Sequence, residues 1–343
     1  MFVKENGAGI FNGVLKMPGL DSDMVSVIIP AFNSEKYITE CISSIKKNDF
    51  SHTAYEIIVV DNGSSDKTVS IAERLGVKVL ILPSAKIAGL RNHGSRFAQG
   101  NILAFLDSDC TVLPSWIPNA CMAFEDPGIG IGGSVHRVPA HASWVARAWA
   151  FHCKEEGPRT YVNYVPSGNM FIRKRVFDLV EGFNEALSVS EDTDLCRRVI
   201  RNGYKVLSDE SIVAYHHGAP TSLLVFFRKE LWHGQDVLRL FIIERFPREY
   251  VNVMALSLGF LMLIAGTIWA LFFNYKTAVS FVILLLIIPN VLSVMTCIKK
   301  KDLAFYFPLC LLYFTYGLAR ALCIINIKGY AGTLLTKRGA GND

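Results

Sequence analysis

The sequence contains few charged residues and no paired-cysteine motif. Of its 343 residues only 19% are charged, whereas 51% are hydrophobic. That balance excludes an ordinary soluble enzyme of this size. The eight cysteines form no C-x-x-C pair and show no spacing typical of a zinc site. They therefore indicate reduced packing residues rather than a disulfide framework.

Two further features are lacking: a strong net charge and a secretory signal. The formal net charge is only +5, and the basic residues cluster near the apolar C-terminal part, so nucleic acid is not expected as a partner. Residues 1–23 hold glycine and asparagine where a signal peptide needs an apolar core. We therefore interpret 1–23 as an N-terminal extension and expect the domain after it not to be exported.

Long apolar stretches are present instead, at about 250–273, 277–298 and 303–327. The first two are long enough to cross a bilayer. The third contains Pro308, Gly317 and Arg320, so it spans the membrane, re-enters it or lies at the interface. The sequence thus predicts a membrane region over 250–327, followed by a tail over 328–343.

Lysines beside these stretches predict the orientation of the chain. The triplet 299–301 follows the second stretch, whereas the turn at 274–276 has one lysine. The positive-inside rule places the triplet and the N-terminal domain in the cytoplasm. A full third span would put Lys328, Lys337 and Arg338 outside, which favours a re-entrant or interfacial third segment.

Strands and helices alternate in the N-terminal half. Apolar runs predict strands at 25–29, 56–60, 77–82 and 102–106. Apolar residues at helical spacing predict helices at about 37–45 and 88–98. This alternation with short connections predicts an α/β fold with a doubly wound, mainly parallel sheet.

A proline or an aspartate stands at the end of three of these strands. Pro30 closes the first, Asp61 ends the second, and Asp107-Ser108-Asp109 follows the fourth. Each has an adequate structural explanation alone, as strand stop or turn former. Because ligands bind beyond the carboxyl ends of parallel strands, the three together predict one crevice. The two aspartates would seat Mg²⁺ or Mn²⁺, whose shell a nucleotide diphosphate completes.

A second acidic cluster, Glu191-Asp192-Thr193-Asp194, begins a predicted helix. Acids at a helix N-terminus favour the helix dipole, which is a sufficient structural explanation. The functional alternative is a carboxylate that removes a proton from an acceptor hydroxyl. The helix N-terminus would lower its pKa, so that the base is ionised before it acts.

Residues 128–133 match the dinucleotide-binding pattern G-x-G-x-x-G. They lie far from the first strand, and Ser-Val-His-Arg follows them instead of a helix. A dinucleotide-binding loop has to follow the first strand and begin a helix, and this segment does neither. We therefore predict a glycine-rich strand and not a phosphate loop.

Seven motifs occur in order along residues 24–240: VSVIIPAFN (25–33), VVDNGSSD (59–66), GLRNHG (89–94), FLDSD (105–109), SGNMFIR (167–173), EGFNE (181–185) and EDTDLCRR (191–198). Their order and spacing resemble the family 2 inverting glycosyltransferases with the GT-A fold, in their membrane-anchored bacterial form. The resemblance implies nucleotide-sugar binding by Pro30, Ala31, Phe32, Asn33, Asp61, Arg91, Asn92, Asp107 and Ser108.

The same resemblance implies roles for the other matched residues. Asp107 and Asp109 would ligate Mg²⁺ or Mn²⁺. Asp192 would be the catalytic base, with Glu191 supporting it. The acceptor side would be formed by Gly168 and Asn169.

Two segments nearer the membrane are less specific. In the family that the motifs resemble, a histidine near 216–217 can face the metal, and of the two we favour His216; a polar loop is an equal alternative. Residues 221–249 interleave aromatic and basic side chains, as in an amphipathic helix at a membrane surface, although a packed helix of the catalytic domain fits equally. Gln235 to Arg239 departs from the Gln-x-x-Arg-Trp motif of processive synthases, which argues against a processive enzyme.

The sequence therefore predicts a cytoplasmic GT-A domain over 24–220, anchored in a bacterial inner membrane through several spans. The expected activity is the metal-dependent, inverting transfer of one hexose from a UDP- or GDP-sugar to a lipid-linked glycan acceptor. Membrane lipids are expected as further partners, and surface or exopolysaccharide assembly is the expected setting. One alternative is transfer to polyprenyl phosphate. Another is an inactive membrane scaffold, against which the intact Asp-x-Asp and Glu-Asp pairs argue.

Overall fold

The computed structural model describes residues 24–49, 55–153, 157–234 and 248–325. Three expected features therefore lie outside the described residues: the extension 1–23, the tail 328–343 and the segment 235–247, which includes the Gln235–Arg239 motif.

Ten strands and eleven helices occur within those ranges. The strands are β1 (Val25–Ala31), β2 (Tyr55–Asp61), β3 (Lys78–Ile81), β4 (Ile102–Leu106), β5 (Cys110–Val112), β6 (Ile129–Gly133), β7 (Arg159–Val162), β8 (Asn169–Arg173), β9 (Lys205–Asp209) and β10 (Ala214–His216). The helices are α1 (Ile38–Lys46), α2 (Thr68–Arg74), α3 (Ile87–Arg96), α4 (Trp116–Ala123), α5 (Trp144–His152), α6 (Lys174–Leu179), α7 (Glu191–Arg201), α8 (Leu223–His233), α9 (Arg248–Phe273), α10 (Tyr275–Lys300) and α11 (Tyr306–Ile325).

Eight strands form one sheet in the order β3-β2-β1-β4-β8-β6-β9-β7. The first four are parallel, and β8 is inserted antiparallel between β4 and β6. Side chains of β1 alternate between two apolar clusters, with Val27 and Ile29 on one face and Ile28 on the other. Helices cover both faces, so the sheet is buried on both sides. The predicted mainly parallel α/β fold is confirmed.

The first strand does not stop at Pro30, as the sequence suggested, but continues to Ala31. Its pairing with β4 ends at Ile28, whereas its pairing with β2 continues to Ala31 opposite Asp61. Proline is therefore tolerated, because it follows the last residue that β4 pairs with. The glycine-rich segment forms β6, which confirms that it is a strand and not a phosphate loop.

The third apolar stretch forms one uninterrupted helix, α11, and the re-entrant or interfacial placement of this segment stays a prediction. Pro308 lies in its first turn, where a missing N–H costs little. Gly317 lets Phe260 of α9 pack against the backbone, since an added Cβ would lie 2.5 Å from that ring. All three C-terminal helices are long and apolar enough to cross a membrane.

Helices α5 and α8 connect the sheet domain to α11. Phe226 of α8 and Val145 of α5 share an apolar cluster with Leu312. The α10 lysine triplet lies on this side too, because Lys300 donates to the backbone oxygen of Cys153 at 3.1 Å. The C-terminal helices thus meet the sheet domain through specific contacts.

Candidate active site

A cavity of about 840 Å³ lies at the carboxyl ends of the parallel strands. Its lining includes ten of the residues that the sequence pointed to: Pro30, Ala31, Phe32, Arg91, Asp107, Ser108, Asp109, Gly168, Glu191 and Asp192. Tyr316 and Arg320 of α11 and Trp232 of α8 complete the wall. The cavity therefore joins the sheet domain to the C-terminal helices.

Asp107, Asp109 and His216 form a cluster that suits a divalent cation. Their ligand atoms all lie within 4.8 Å of one another. His216 lies on β10, which pairs antiparallel with β5, so that His216 is opposite Cys110. Its Nε2 lies 3.3 Å from Asp109 Oδ2, whereas His217 is bonded to Thr111 at 2.8 Å. Two carboxylates and one imidazole are a donor set that fits Mg²⁺ or Mn²⁺.

The protonation tendencies of this cluster also favour a cation. Burial is the largest single influence on Asp107 and raises its pKa, but the charges of Arg91, His136 and His216 and the hydrogen bond from Arg91 together hold the pKa below its usual value. Burial and the charge of Asp107 raise the pKa of Asp109. Burial and the positive charge of Lys229 lower the pKa of His216 to about 4, so its imidazole is neutral and able to ligate near neutral pH.

Arg91 links the cation cluster to the second acidic cluster. Arg91 lies on α3 and is buried. Its Nη2 donates to Asp107 Oδ1 at 2.8 Å, and its Nη1 donates to Glu191 Oε1 at 2.7 Å. Both terminal nitrogens are therefore engaged by protein carboxylates. In this arrangement Arg91 fixes the relative positions of Asp107 and of the first residue of α7.

Asp192 has the surroundings of a general base. Its Oδ1 accepts from the Thr193 N–H at 2.8 Å, and its Oδ2 accepts from the Ser167 N–H at 3.3 Å and the Tyr164 hydroxyl at 3.2 Å. Burial and the adjacent Glu191 raise its pKa to about 6. The expected lowering by the helix N-terminus is therefore wrong, because desolvation exceeds the effect of the dipole.

The backbone before α7 is strained. Ser190 has a φ of 63°, a left-handed conformation that costs energy for a residue with a side chain. It leads directly into Glu191, the first residue of α7. Such strain is typical of positions whose geometry serves a site.

Comparison with known proteins identifies the domain. Residues 26–183 match the family model described as "Glycosyl transferase family 2". The chain carries a glycosyltransferase family 2 domain. Glycosyltransferase AglE of Haloferax volcanii is 27% identical over 250 residues, which are 69% of this chain and 81% of AglE. Pre-mycofactocin glycosyltransferase of Mycobacterium tuberculosis is 29% identical over 223 residues, 61% of this chain and 46% of that protein.

Solved structures share the GT-A fold. Mannosyltransferase PcManGT of Pyrobaculum calidifontis, in complex with GDP-Man and Mn²⁺, has a TM-score of 0.58 at 17% identity, covering 89% of this chain and 87% of its own. Staphylococcus aureus TarS 1-349 with UDP-GlcNAc has a TM-score of 0.51 at 19% identity, covering 87% and 90%. The predicted fold and family are confirmed.

Five residues predicted as ligand contacts are not part of the cavity lining. One is His216, which contacts Asp109, and the other four also have protein partners. The Asn169 amide is fully buried and bonds Trp116 and Ser134. The Asn92 amide bonds the backbone of Phe183, and the Asp61 carboxylate accepts from the backbone N–H groups of the loop that follows β2. Asn33 accepts from the N–H of the same loop, at Ser65. In the transferase domain these contacts shape the loops around the cavity.

Sequence reasoning missed His136. It lies immediately beyond the glycine-rich strand β6, in the segment set aside once the phosphate loop was excluded. Its ring centroid is 5.4 Å from that of His216, and its Nε2 is buried with no hydrogen-bond partner among the described residues. His136 therefore presents an unengaged nitrogen beside Asp107 at the cavity wall. The proximity of His136 to Asp107 depends on the position of β6 next to β8 in the sheet, which the sequence does not show.

Gly218 fits closely against the cation cluster, so its replacement by alanine is expected to weaken Mn²⁺ binding about tenfold. An added Cβ would lie 1.9 Å from Asp109 Oδ2, which must move that oxygen. Metal titration of the purified protein measures the effect. Gly259→Ala is the matched control, because a Cβ there meets no described atom within 4 Å. Equal Mn²⁺ affinity in both variants would contradict the assigned ligand set.

Proposed function

We propose that this protein is a metal-dependent, inverting glycosyltransferase that moves one sugar from a nucleotide sugar to a lipid-linked acceptor. The observation that supports this proposal is that one cavity is lined by the Asp107 and Asp109 carboxylates, by the half-buried Asp192 and by side chains of α11. A donor diphosphate, an acceptor hydroxyl and a membrane-bound carrier can therefore meet in one place.

The donor is assigned to the end of the cavity that contains the Asp107 and Asp109 carboxylates. Asp107, Asp109 and His216 would hold Mg²⁺ or Mn²⁺, which neutralises the departing diphosphate. Pro30, Ala31 and Phe32 supply an apolar edge for the nucleotide. The structural relatives with GDP-Man and Mn²⁺ or with UDP-GlcNAc support a nucleotide-sugar donor.

Asp192 carries the proton transfer. Its carboxylate takes the proton of the acceptor hydroxyl while that oxygen bonds to the anomeric carbon and the carbon–oxygen bond to the diphosphate breaks. The electron pair leaves with the nucleoside diphosphate, and the proton ends on Asp192. A single displacement of this kind inverts the anomeric carbon.

The lipid-linked acceptor and the membrane setting rest on α9, α10 and α11. Two α11 residues line the cavity, and Lys300 at the end of α10 contacts the transferase domain, which fits a cytoplasmic domain under the positive-inside rule. One of the relatives of this chain, from Methanococcus voltae, is named as a transferase acting on a dolichyl phosphate-linked sugar. The bacterial inner membrane and surface-glycan assembly are the setting that the motif resemblance implies.

The donor is tested by calorimetry on the full-length protein in detergent. We expect UDP- or GDP-sugar to bind with Mn²⁺ present and to lose about tenfold or more in affinity when the metal is chelated. A CMP-sugar serves as the base-mismatched control. Absence of binding to all three donors, with the fold intact, would favour the inactive scaffold instead.

A further inference from the structure

A second cavity of about 870 Å³ continues from the first between α8 and the C-terminal helices. The two cavities share His233, Val253, Tyr316 and Arg320 in their walls. Leu256, Leu292 and Met295 give the second cavity an apolar interior at the level of the membrane helices. An elongated molecule could therefore extend from the base Asp192 into an apolar chamber.

Positive charge lines the second cavity. Lys229, Lys299 and Arg320 belong to its wall, and Arg320 lies where the two cavities join. Among the described lining residues Glu230 is the single carboxylate. Burial, together with the charges of Lys229 and Arg320, lowers the pKa of His233 to about 4, so this imidazole is neutral and adds no charge. The described wall of the second cavity therefore has more cations than anions.

Arg320 is only partly satisfied by its ion pair. Its Nη2 donates to Glu230 Oε2 at 2.6 Å, and the side chain is 9% exposed. Its Nε and Nη1 are buried and have no hydrogen-bond partner within the described part of the chain. A charged side chain in a membrane helix is costly and commonly serves a ligand. The guanidinium also lies over the Tyr316 ring, 4.8 Å from its centroid, a contact that leaves Nε and Nη1 without a described hydrogen-bond partner. Two such donors match the oxygens of a phosphate group.

We propose that Arg320, with Lys229, binds the phosphate that links the acceptor sugar to its lipid, while the second cavity holds the first part of the lipid chain. The proposal rests on the proposed function and names its acceptor: a lipid carrying a phosphate next to the sugar. The sugar then lies in the first cavity, with a hydroxyl facing Asp192. A purely structural Arg320–Glu230 pair would explain the ion pair but not the free donors or the adjoining apolar chamber.

Binding of farnesyl phosphate to the full-length protein in detergent tests this site. Arg320→Gln is expected to weaken binding about tenfold or more, since charge-assisted contacts are lost. Glu230→Gln is expected to strengthen it severalfold, roughly two- to fivefold, because a competing negative charge is removed. These opposite directions separate a phosphate site from a structural ion pair, whose loss would weaken binding in both variants.

Controls address folding and the source of the phosphate. Arg320→Gln leaves Glu230 buried without its partner, so the double variant E230Q/R320Q, which has no unpaired charge, must show the same loss. Arg147→Gln removes an exposed arginine of α5 and should bind as the wild type does. Farnesol and inorganic phosphate should each bind at least about tenfold more weakly than farnesyl phosphate; equal binding by either would overturn the proposal.

Nucleotide-sugar binding, measured on the same samples, distinguishes the proposed transferase function from the proposed phosphate site at Arg320. Donor affinity is expected to fall less than the affinity for farnesyl phosphate in Arg320→Gln, because Asp107, Asp109 and His216 are the residues proposed to hold the donor. If the wild type binds donor but its affinity for farnesyl phosphate is insensitive to Arg320, this inference fails and the transferase proposal stands. If the wild type binds no donor while Arg320 controls farnesyl phosphate binding, the proposed function fails instead.

Discussion

Asp192→Asn is expected to lower kcat for sugar transfer by about a thousandfold while donor affinity changes by less than about twofold. The amide retains the shape of the carboxylate but has no lone pair able to take the proton of the acceptor hydroxyl at neutral pH. Transfer rates at saturating donor and acceptor, together with calorimetric donor binding, measure both quantities.

The surroundings of Asp192 can accommodate this replacement. The amide oxygen can take the place of Oδ2 and accept from both the Ser167 N–H and the Tyr164 hydroxyl, whereas the amide nitrogen faces the Thr193 N–H and loses only that contact. We therefore expect the variant to fold. Asp194→Asn is the matched control, because Asp194 lies on the same helix but pairs with Arg198 outside the cavity. Normal turnover by Asp192→Asn would exclude this residue as the base.

The pH dependence of transfer should report the same group. Burial and Glu191 raise the pKa of Asp192 to about 6, and only the ionised carboxylate accepts a proton. Activity is therefore expected to be present above this value and to fall as the pH drops through it, with a slope of one proton. A kcat profile that is flat between about pH 5 and 7 would contradict the assignment.

Asp109→Ala is expected to abolish the metal dependence of donor binding. The loss in donor affinity with Mn²⁺ should reach about a hundredfold, after which added metal makes no difference. Asp109 has this effect because its carboxylate lies within 4.8 Å of the ligand atoms of Asp107 and His216. Burial and the charge of Asp107 raise the pKa of Asp109, and a bound cation would offset both effects. Calorimetry with and without Mn²⁺ measures the change.

Two comparison variants sharpen that experiment. Asp178→Ala removes an exposed carboxylate of α6 that pairs only with Lys174 among the described side chains, and it should bind donor normally. His216→Ala removes the third ligand but leaves both carboxylates, so its loss should be intermediate. If Asp109→Ala retained Mn²⁺-dependent donor binding, the cation would have to lie elsewhere.

The strand ends of the site could be predicted from the sequence because they depend on local pattern. Buried apolar runs followed by Asp61 and Asp107 determine the strands, and parallel pairing then brings their ends to one edge of the sheet. The direction of side chains beyond those ends is decided by packing. Asn92 and Asn169 belong to recognisable motifs, yet both amides turn into the protein and bond neighbouring loops.

The features that the sequence could not predict depend on contacts across long separations. Arg320 looked like an interruption of an apolar helix, but its partner Glu230 lies 90 residues earlier. Arg91 and Glu191 are 100 residues apart. His136 reaches the site only because β6 lies beside β8 in the sheet. The raised pKa of Asp192 likewise follows from burial, which a helix-terminus argument does not include.

The most direct measurement of the central claim is transfer of labelled sugar from the preferred nucleotide sugar into a lipid extract, catalysed by the purified full-length protein. The account predicts one sugar added per acceptor, inversion at the anomeric carbon and loss of product when Mn²⁺ is chelated. Sugar released to water without lipid product, or transfer that is unaffected by chelation, would contradict it.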